Sequence, residues 1–152
     1  MPFKLNISDK RGKSWKLELD SEAFIGKELG SKIDGKDFST LLNGYEFEIT
    51  GASDKAGITS MKEVEGVGLK RLLLTYGKGM KKKPRREGKR HRTKNRPPGL
   101  RLRKTVRGKV LSVDTMQINM KVVKAGEKVF EEIFPDQNKP KEKVKWTPPV
   151  AA

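Results

Sequence analysis

The sequence predicts a mostly β protein: a small closed or partly open β-barrel-like body with one or two short helices and an extended basic arm. Three observations carry this. Apolar residues fall on alternate positions in several short runs, the period of a half-buried strand. Glycine-containing turns separate those runs, and little of the chain has helical periodicity. Finally, residues 78–109 carry 16 basic side chains and one acidic, whereas residues 1–77 carry 12 of each and residues 110–152 carry seven and six. A net charge of +16 is thus almost wholly the property of one internal segment of 32 residues in a chain of 152.

Phe3, Leu5 and Ile7, then Trp15, Leu17 and Leu19, form two alternating runs joined by DKRGK (9–13), the length and composition of a hairpin turn. In EAFIGKELGSKIDG (22–35), Phe24, Ile25, Leu29 and Ile33 suit one or two helical turns better than a strand, and the glycines keep any helix short. Tyr45, Phe47 and Ile49 make a third alternating run after Asn43-Gly44, a pair that serves either as a turn or as the cap of a preceding helical turn. TGASDKAG (50–57) reads as a loop by composition. LKRLLLTY (69–76) returns to β character and runs into the basic segment.

Beyond that segment, Met116, Ile118, Met120 and Val122 alternate with Gln117, Asn119 and Lys121 in the clearest strand pattern of the chain. Val129, Phe130, Ile133 and Phe134 fit a short amphipathic helix that Pro135 stops. The organisation expected is a body formed by residues 1–77 and 100–134, an arm over 78–99 and a flexible C-terminal tail over 135–152, in which Trp146 is a candidate for packing.

The basic segment has two parts. KKKPRREGKRHRTKNR (81–96) holds ten Lys or Arg and no aliphatic or aromatic residue, so it has no surface with which to join a core. Its charges lie well inside a Debye length of about 8 Å and repel one another, whereas a polyanion reverses the sign of that energy and adds the entropy of released counterions. Eight phosphate contacts would give a slope of log K against log salt of roughly −6 to −7. Lys78, Lys81, Lys82, Lys83, Arg85, Arg86, Lys89, Arg90, His91, Arg92, Lys94 and Arg96 are the candidate contacts of this arm. In the second part, Pro97-Pro98-Gly99 imposes an extended entry and a turn. LRLRKTVRG (100–108) then places Leu100, Leu102 and Val106 on one side of a strand and Arg101, Arg103, Thr105 and Arg107 on the other. Arginine suits phosphate because its planar fork binds bidentately and stacks on exposed bases.

Competing readings of the charge are a solvated tail, an import signal, a membrane anchor and a reader of splayed single strands. The segment lies between core-like stretches and far exceeds the five to eight basic residues of an import signal. It also lacks the interleaved Trp, Phe or Leu that membranes and stacked bases need. Structured RNA, recognised through shape and backbone, fits best. A free-standing nucleic-acid chaperone or chromatin-type protein is the alternative.

Catalysis finds little support. Without cysteine there is no thiolate, and His91, flanked by arginines, has no neighbouring carboxylate to orient it. Neither GVGLKR (66–71) nor GKGMKK (77–82) has the spacing or the Ser/Thr of a phosphate-binding loop. The acid pairs Asp20/Glu22, Glu46/Glu48 and Glu63/Glu65 read as charge balance. No enzyme activity, cofactor or metal is expected, nor a small-molecule substrate, a membrane or homo-oligomerisation. The absence of cysteine, of a long apolar run and of a secretion-signal layout gives an intracellular, soluble setting as the expectation.

GYEFEITGASDKAG (44–57), EGVGLKRLLLTYGKG (65–79) and RLRKTVRGKVLSVDTMQIN (101–119) resemble, in order and spacing, the archaeal and eukaryotic small-subunit ribosomal protein family S-six-e, over roughly residues 1–134. The resemblance implies a β-barrel-like body in the small ribosomal subunit, in the cytoplasm, with ribosomal RNA and neighbouring ribosomal proteins as partners. Through the matched motifs it implies RNA contacts at Lys70, Arg71, Arg101, Arg103, Lys104 and Arg107. Lys109 stands where the family usually has Asn and adds a charge to that set. Eukaryotic members continue into a long basic helix with phosphorylated serines; this chain has no serine after Ser112 and resembles the short archaeal form.

Overall fold

A computed structural model describes residues 2–80, 98–126 and 128–138 of the chain. Seven strands follow in order: β1 (Phe3–Ser8), β2 (Ser14–Leu19), β3 (Lys32–Asp34), β4 (Glu46–Asp54), β5 (Leu69–Thr75), β6 (Arg101–Arg107) and β7 (Thr115–Lys124). One short helix, α1 (Phe130–Ile133), and three single 3₁₀ turns at Glu22–Phe24, Gly35–Asp37 and Thr40–Leu42 complete the described elements.

The expected hairpin of β1 and β2 closes as DKRGK dictates. Asp9 and Lys13 share a backbone hydrogen bond of 3.0 Å, and Gly12 takes the left-handed conformation (φ +82°) that the tight turn requires. Register then pairs like with like: Phe3, Leu5 and Ile7 face Leu19, Leu17 and Trp15 across the hairpin. β1 also pairs in parallel with β7, Leu5 beside Ile118 and Ile7 beside Met120, and β7 pairs antiparallel with β4, Met120 beside Ile49 and Val122 beside Phe47. The result is a five-stranded sheet in the order β2-β1-β7-β4-β3 whose buried apolar side chains gather in one core.

Phe24, Leu29, Leu42, Leu111 and Phe130 cover that face. Phe130 of α1 stacks on Trp15 with centroids 4.7 Å apart and lies 4.5 Å from the Tyr45 ring. Such aromatic contacts add about 0.5–1.5 kcal/mol each beyond their buried area. Burial, followed by the charges of Asp9 and Glu132, raises the pKa of Tyr45, whose hydroxyl donates to the Lys128 carbonyl.

Two expectations need correction. The body is not a closed barrel: among the described residues the five-stranded sheet is open, β2 and β3 are its separate ends, and β5 and β6 form a sheet of their own. The apolar face is closed by connecting segments and α1, which removes the need for strands to meet. The free edge of β2 is met by Gln137, whose side-chain amide accepts from the Lys16 N–H and donates to the Lys16 C=O, both at 2.7 Å, as a neighbouring strand would.

The second correction concerns two segments. Thr50–Asp54, read as a loop, is the second half of β4, with Gly51, Ala52 and Ser53 paired to Asn119, Ile118 and Gln117. Small residues gave no alternation to read, yet Ala52 is buried and β7 supplies the ladder. Within 22–35, Ile33 belongs to β3, opposite Phe47, and only Glu22–Phe24 turns helically. Gly26 and Gly30, both in the left-handed region (φ +82° and +94°), prevent the turns from joining. No helix among the described residues is long and apolar enough to cross a membrane.

Candidate nucleic-acid interface

The two-stranded ribbon of β5 and β6 leads toward the basic segment. Antiparallel register sets Thr75, Leu73, Arg71 and Leu69 opposite Arg101, Arg103, Thr105 and Arg107 on one face, and Leu74, Leu72 and Lys70 opposite Leu102, Lys104 and Val106 on the other. On the second face Val106 is fully buried with Met61 and Val64, and Leu72 and Leu74 pack against them. The alternation read from LRLRKTVRG therefore survives in space. Arg101, Arg103 and Arg71 are exposed and share the outer face, with successive guanidiniums on β6 about 6.7 Å apart by strand rise.

The remaining candidates are placed differently. Lys70 is exposed on the inner face beside Val106, and Lys104, half-buried, lies opposite Leu72. Lys109 pairs with Glu28 at 3.1 Å. Lys78 lies over the other sheet, its Nζ donating to the Thr50 carbonyl at 3.3 Å. Lys81, Lys82, Lys83, Arg85, Arg86, Lys89, Arg90, His91, Arg92, Lys94 and Arg96 lie outside the described residues, as do residues 139–152 of the expected tail with Trp146.

Arg107 departs from the outer row most sharply. Both the strand alternation and the resemblance make it an RNA contact, but it is 8% exposed. Its Nε and Nη2 donate to Asp54 Oδ2 and its Nη1 to Asp114 Oδ2 and Ser112 Oγ, each at 3.3 Å. Asp54 Oδ1 meanwhile accepts from the Ile58 N–H at 2.8 Å. Arg107 thus fastens the ribbon's root to the end of β4 by satisfying a buried carboxylate.

Backbone bonds reinforce that root: Arg107 N–H to Thr59 O, Met61 N–H to Arg107 O, and Lys109 N–H to Val64 O at 3.0, 3.0 and 2.7 Å. Gly108 permits this approach, since a Cβ there would stand 1.8 Å from the Gly66 carbonyl oxygen. The GVG sequence at 66–68 is accordingly a docking turn for Gly108 and Val110. Among the described residues no three His, Asp or Glu side chains gather as a metal site would require.

Comparison with known proteins gives a consistent family signal. The family model for ribosomal protein S6e matches residues 3–135. The chain is 41% identical over 137 residues to a protein of Methanothermobacter thermautotrophicus, covering 88% of this chain and 96% of the relative. It is 39% identical over 127 residues to one of Methanococcus maripaludis strain C7 (83% and 90%), and 38% identical over 136 residues to one of Methanosphaerula palustris (87% and 92%). Each of these relatives is named small ribosomal subunit protein eS6.

Proposed function

We propose how this chain, which belongs to the ribosomal protein S6e family and is thereby a non-enzymatic structural constituent of the small ribosomal subunit, engages the RNA of that subunit. Its body, residues 1–77 and 100–134, is the platform, with 20 basic and 16 acidic side chains. The ribbon projects from it, fixed by Arg107 and Gly108, and presents Arg71, Arg101 and Arg103 to the phosphates of folded RNA. The arm, residues 78–99, continues the contact along the RNA surface and draws most of the affinity from counterion release. Neighbouring ribosomal proteins meet the rest of the body.

The observation that carries this reading is the confinement of 16 basic residues and one acidic to residues 78–109, at the end of a ribbon whose inner face and root are tied to the core. Phosphate contact explains both the charge and the rigid root. Leu69 and Leu73, 51% and 55% exposed on the outer face beside the guanidiniums, suit the apolar flanks of ribose and base.

Changing Arg71, Arg101 and Arg103 together to Ala tests the ribbon's part. Binding of the full chain to purified small-subunit RNA, followed across a salt series, should lose about 2 to 3 from the magnitude of its log–log slope, at about 0.7–0.9 per phosphate contact. The Leu–Val face and Arg107 are untouched, so the thermal transition should stay in place. An unchanged slope would remove the ribbon from the interface.

A further inference from the structure

The outer face of the five-stranded sheet, opposite the apolar core, has an unusual composition. From β1, β7 and β4 it presents Lys4, Asn6 and Ser8, then Gln117, Asn119 and Lys121, then Ser53, Gly51 and Glu48, in mutual register, with Val123 adjoining Ser8, Glu48 and Lys121 at one end. The amides are tied together: Asn6 Nδ2 and Gln117 Nε2 both donate to Asn119 Oδ1, at 3.1 and 3.0 Å. Between them and the arm lies a bare glycine. A side chain on Gly51 would begin 3.7 Å from Lys78 Nζ and 3.8 Å from Asn119 Nδ2, so two donors wall a notch that only hydrogen fills.

Cations exceed anions around this notch. Glu48 accepts from Lys121 at 2.8 Å, has Lys62 at 4.0 Å and stands opposite Lys32 in register, while Lys78 lies two residues along β4 on the Thr50 carbonyl. One carboxylate thus faces three ammonium groups, with that of Lys78 as a fourth nearby along the strand. The hydrogen bond from Lys121 is the main cause holding the Glu48 pKa low, so this carboxylate is ionised at neutral pH. Lys78 pays for its position in the free protein: burial, and then the charge of Lys62, lower its pKa. The attraction of an anion at the notch would offset both effects.

We propose that this outer sheet face is a second RNA-contact surface, on which Lys62, Lys78 and Lys121 take backbone phosphates and the Gly51 notch seats a backbone oxygen between Lys78 Nζ and Asn119 Nδ2. The inference rests on the RNA-binding reading above and extends it from Lys78, at the start of the arm, to Lys62, Lys121 and Asn119, which the sequence assigns to the body. Lys78 lies on this face three residues before position 81, so an RNA segment held by the arm arrives beside the sheet. A protein partner fits the face less well. Protein interface cores favour Tyr, Trp, Phe, Met and Arg and are depleted in Lys, Glu and Ser, which is the reverse of this composition. RNA offers phosphates for the lysines and 2′-hydroxyls for the fixed amides.

The test uses the full-length chain and purified small-subunit RNA in a salt series. The combined variant Lys62→Gln, Lys78→Gln, Lys121→Gln should lose about 2 to 3 from the slope with residues 81–96 intact, again at about 0.7–0.9 per contact. Glu48→Gln, which removes the competing carboxylate, should tighten binding several-fold at low salt, an effect that no structural role of Glu48 produces. Gly51→Ala, whose Cβ meets only ordinary contacts, should weaken binding with little change of slope. A wild-type slope in the triple variant together with no gain in Glu48→Gln overturns the proposal. A variant with the ten lysines and arginines of residues 81–96 changed to Gln, Lys78 kept, runs alongside: if it too keeps the wild-type slope, the RNA-binding reading itself fails, and if it alone loses slope, only the sheet face does.

Discussion

Replacing the ten lysines and arginines of residues 81–96 with Gln is expected to flatten the salt dependence of RNA binding by about 7 to 9 in log–log slope, at about 0.7–0.9 per phosphate contact. In the wild type, contacts of this number imply that affinity falls by about 10³ to 10⁵ between 50 and 200 mM salt. The variant should lose far less over that range, because few counterions remain to be released. Stability should hardly move, since the segment contains no aliphatic or aromatic residue whose burial the change could remove. The pairing of a large binding effect with an unshifted unfolding midpoint separates an RNA contact from a folding element. Filter binding across the salt series and urea unfolding followed by circular dichroism supply the two readings.

The second large effect concerns Arg107. Changing it to Met leaves the Asp54 carboxylate, whose side chain is 5% exposed, with the Ile58 N–H but without its cation. Breaking a buried pair in this way costs about 3–5 kcal/mol, because one charge remains buried and unmatched. The double change Arg107→Met, Asp54→Asn should recover much of that loss, since the neutral amide can still accept from Ile58 and leaves no naked charge. Urea unfolding of both variants checks this. A loss below about 1 kcal/mol for Arg107→Met would mean that the pair is not the anchor of the ribbon. At temperatures where the variant stays folded, its slope in the RNA salt series should match the wild type, whereas an arginine on phosphate would remove about 0.7–0.9.

Arg107 also marks where the sequence stops being legible. Alternation along LRLRKTVRG is sound as backbone arithmetic, and Arg101 and Arg103 stand exposed as it requires. It contains nothing about Asp54, 53 positions earlier, which reaches Arg107 only because β4 ends at the ribbon's root. The strands β1, β2 and β7 were readable because one face of each is apolar and the other polar. The second half of β4 was not, because Gly51 and Ser53 have no apolar signature and depend on β7 for their pairing.

Barrel closure failed for a related reason. Strand count and turn spacing do not reveal whether the last edges meet, and here Phe24, Leu42, Leu111 and α1 fill the place that closing strands would take. Charge counting by segment found the arm, Lys78 included, but averaged away Lys62 and Lys121 and could not group the three lysines. These come from three separate stretches and share a neighbourhood only after β4 and β7 pair. The candidate interface was therefore legible where its charge is local in sequence, and hidden where the sheet assembles it.

The most direct measurement is a lysine- and arginine-resolved protein–RNA crosslinking map of this chain in intact small ribosomal subunits. The account predicts that crosslinks to small-subunit RNA concentrate at residues 78–104 and at Arg71, with Arg107 absent. Crosslinks confined to other parts of the chain, with none in that segment, would contradict it.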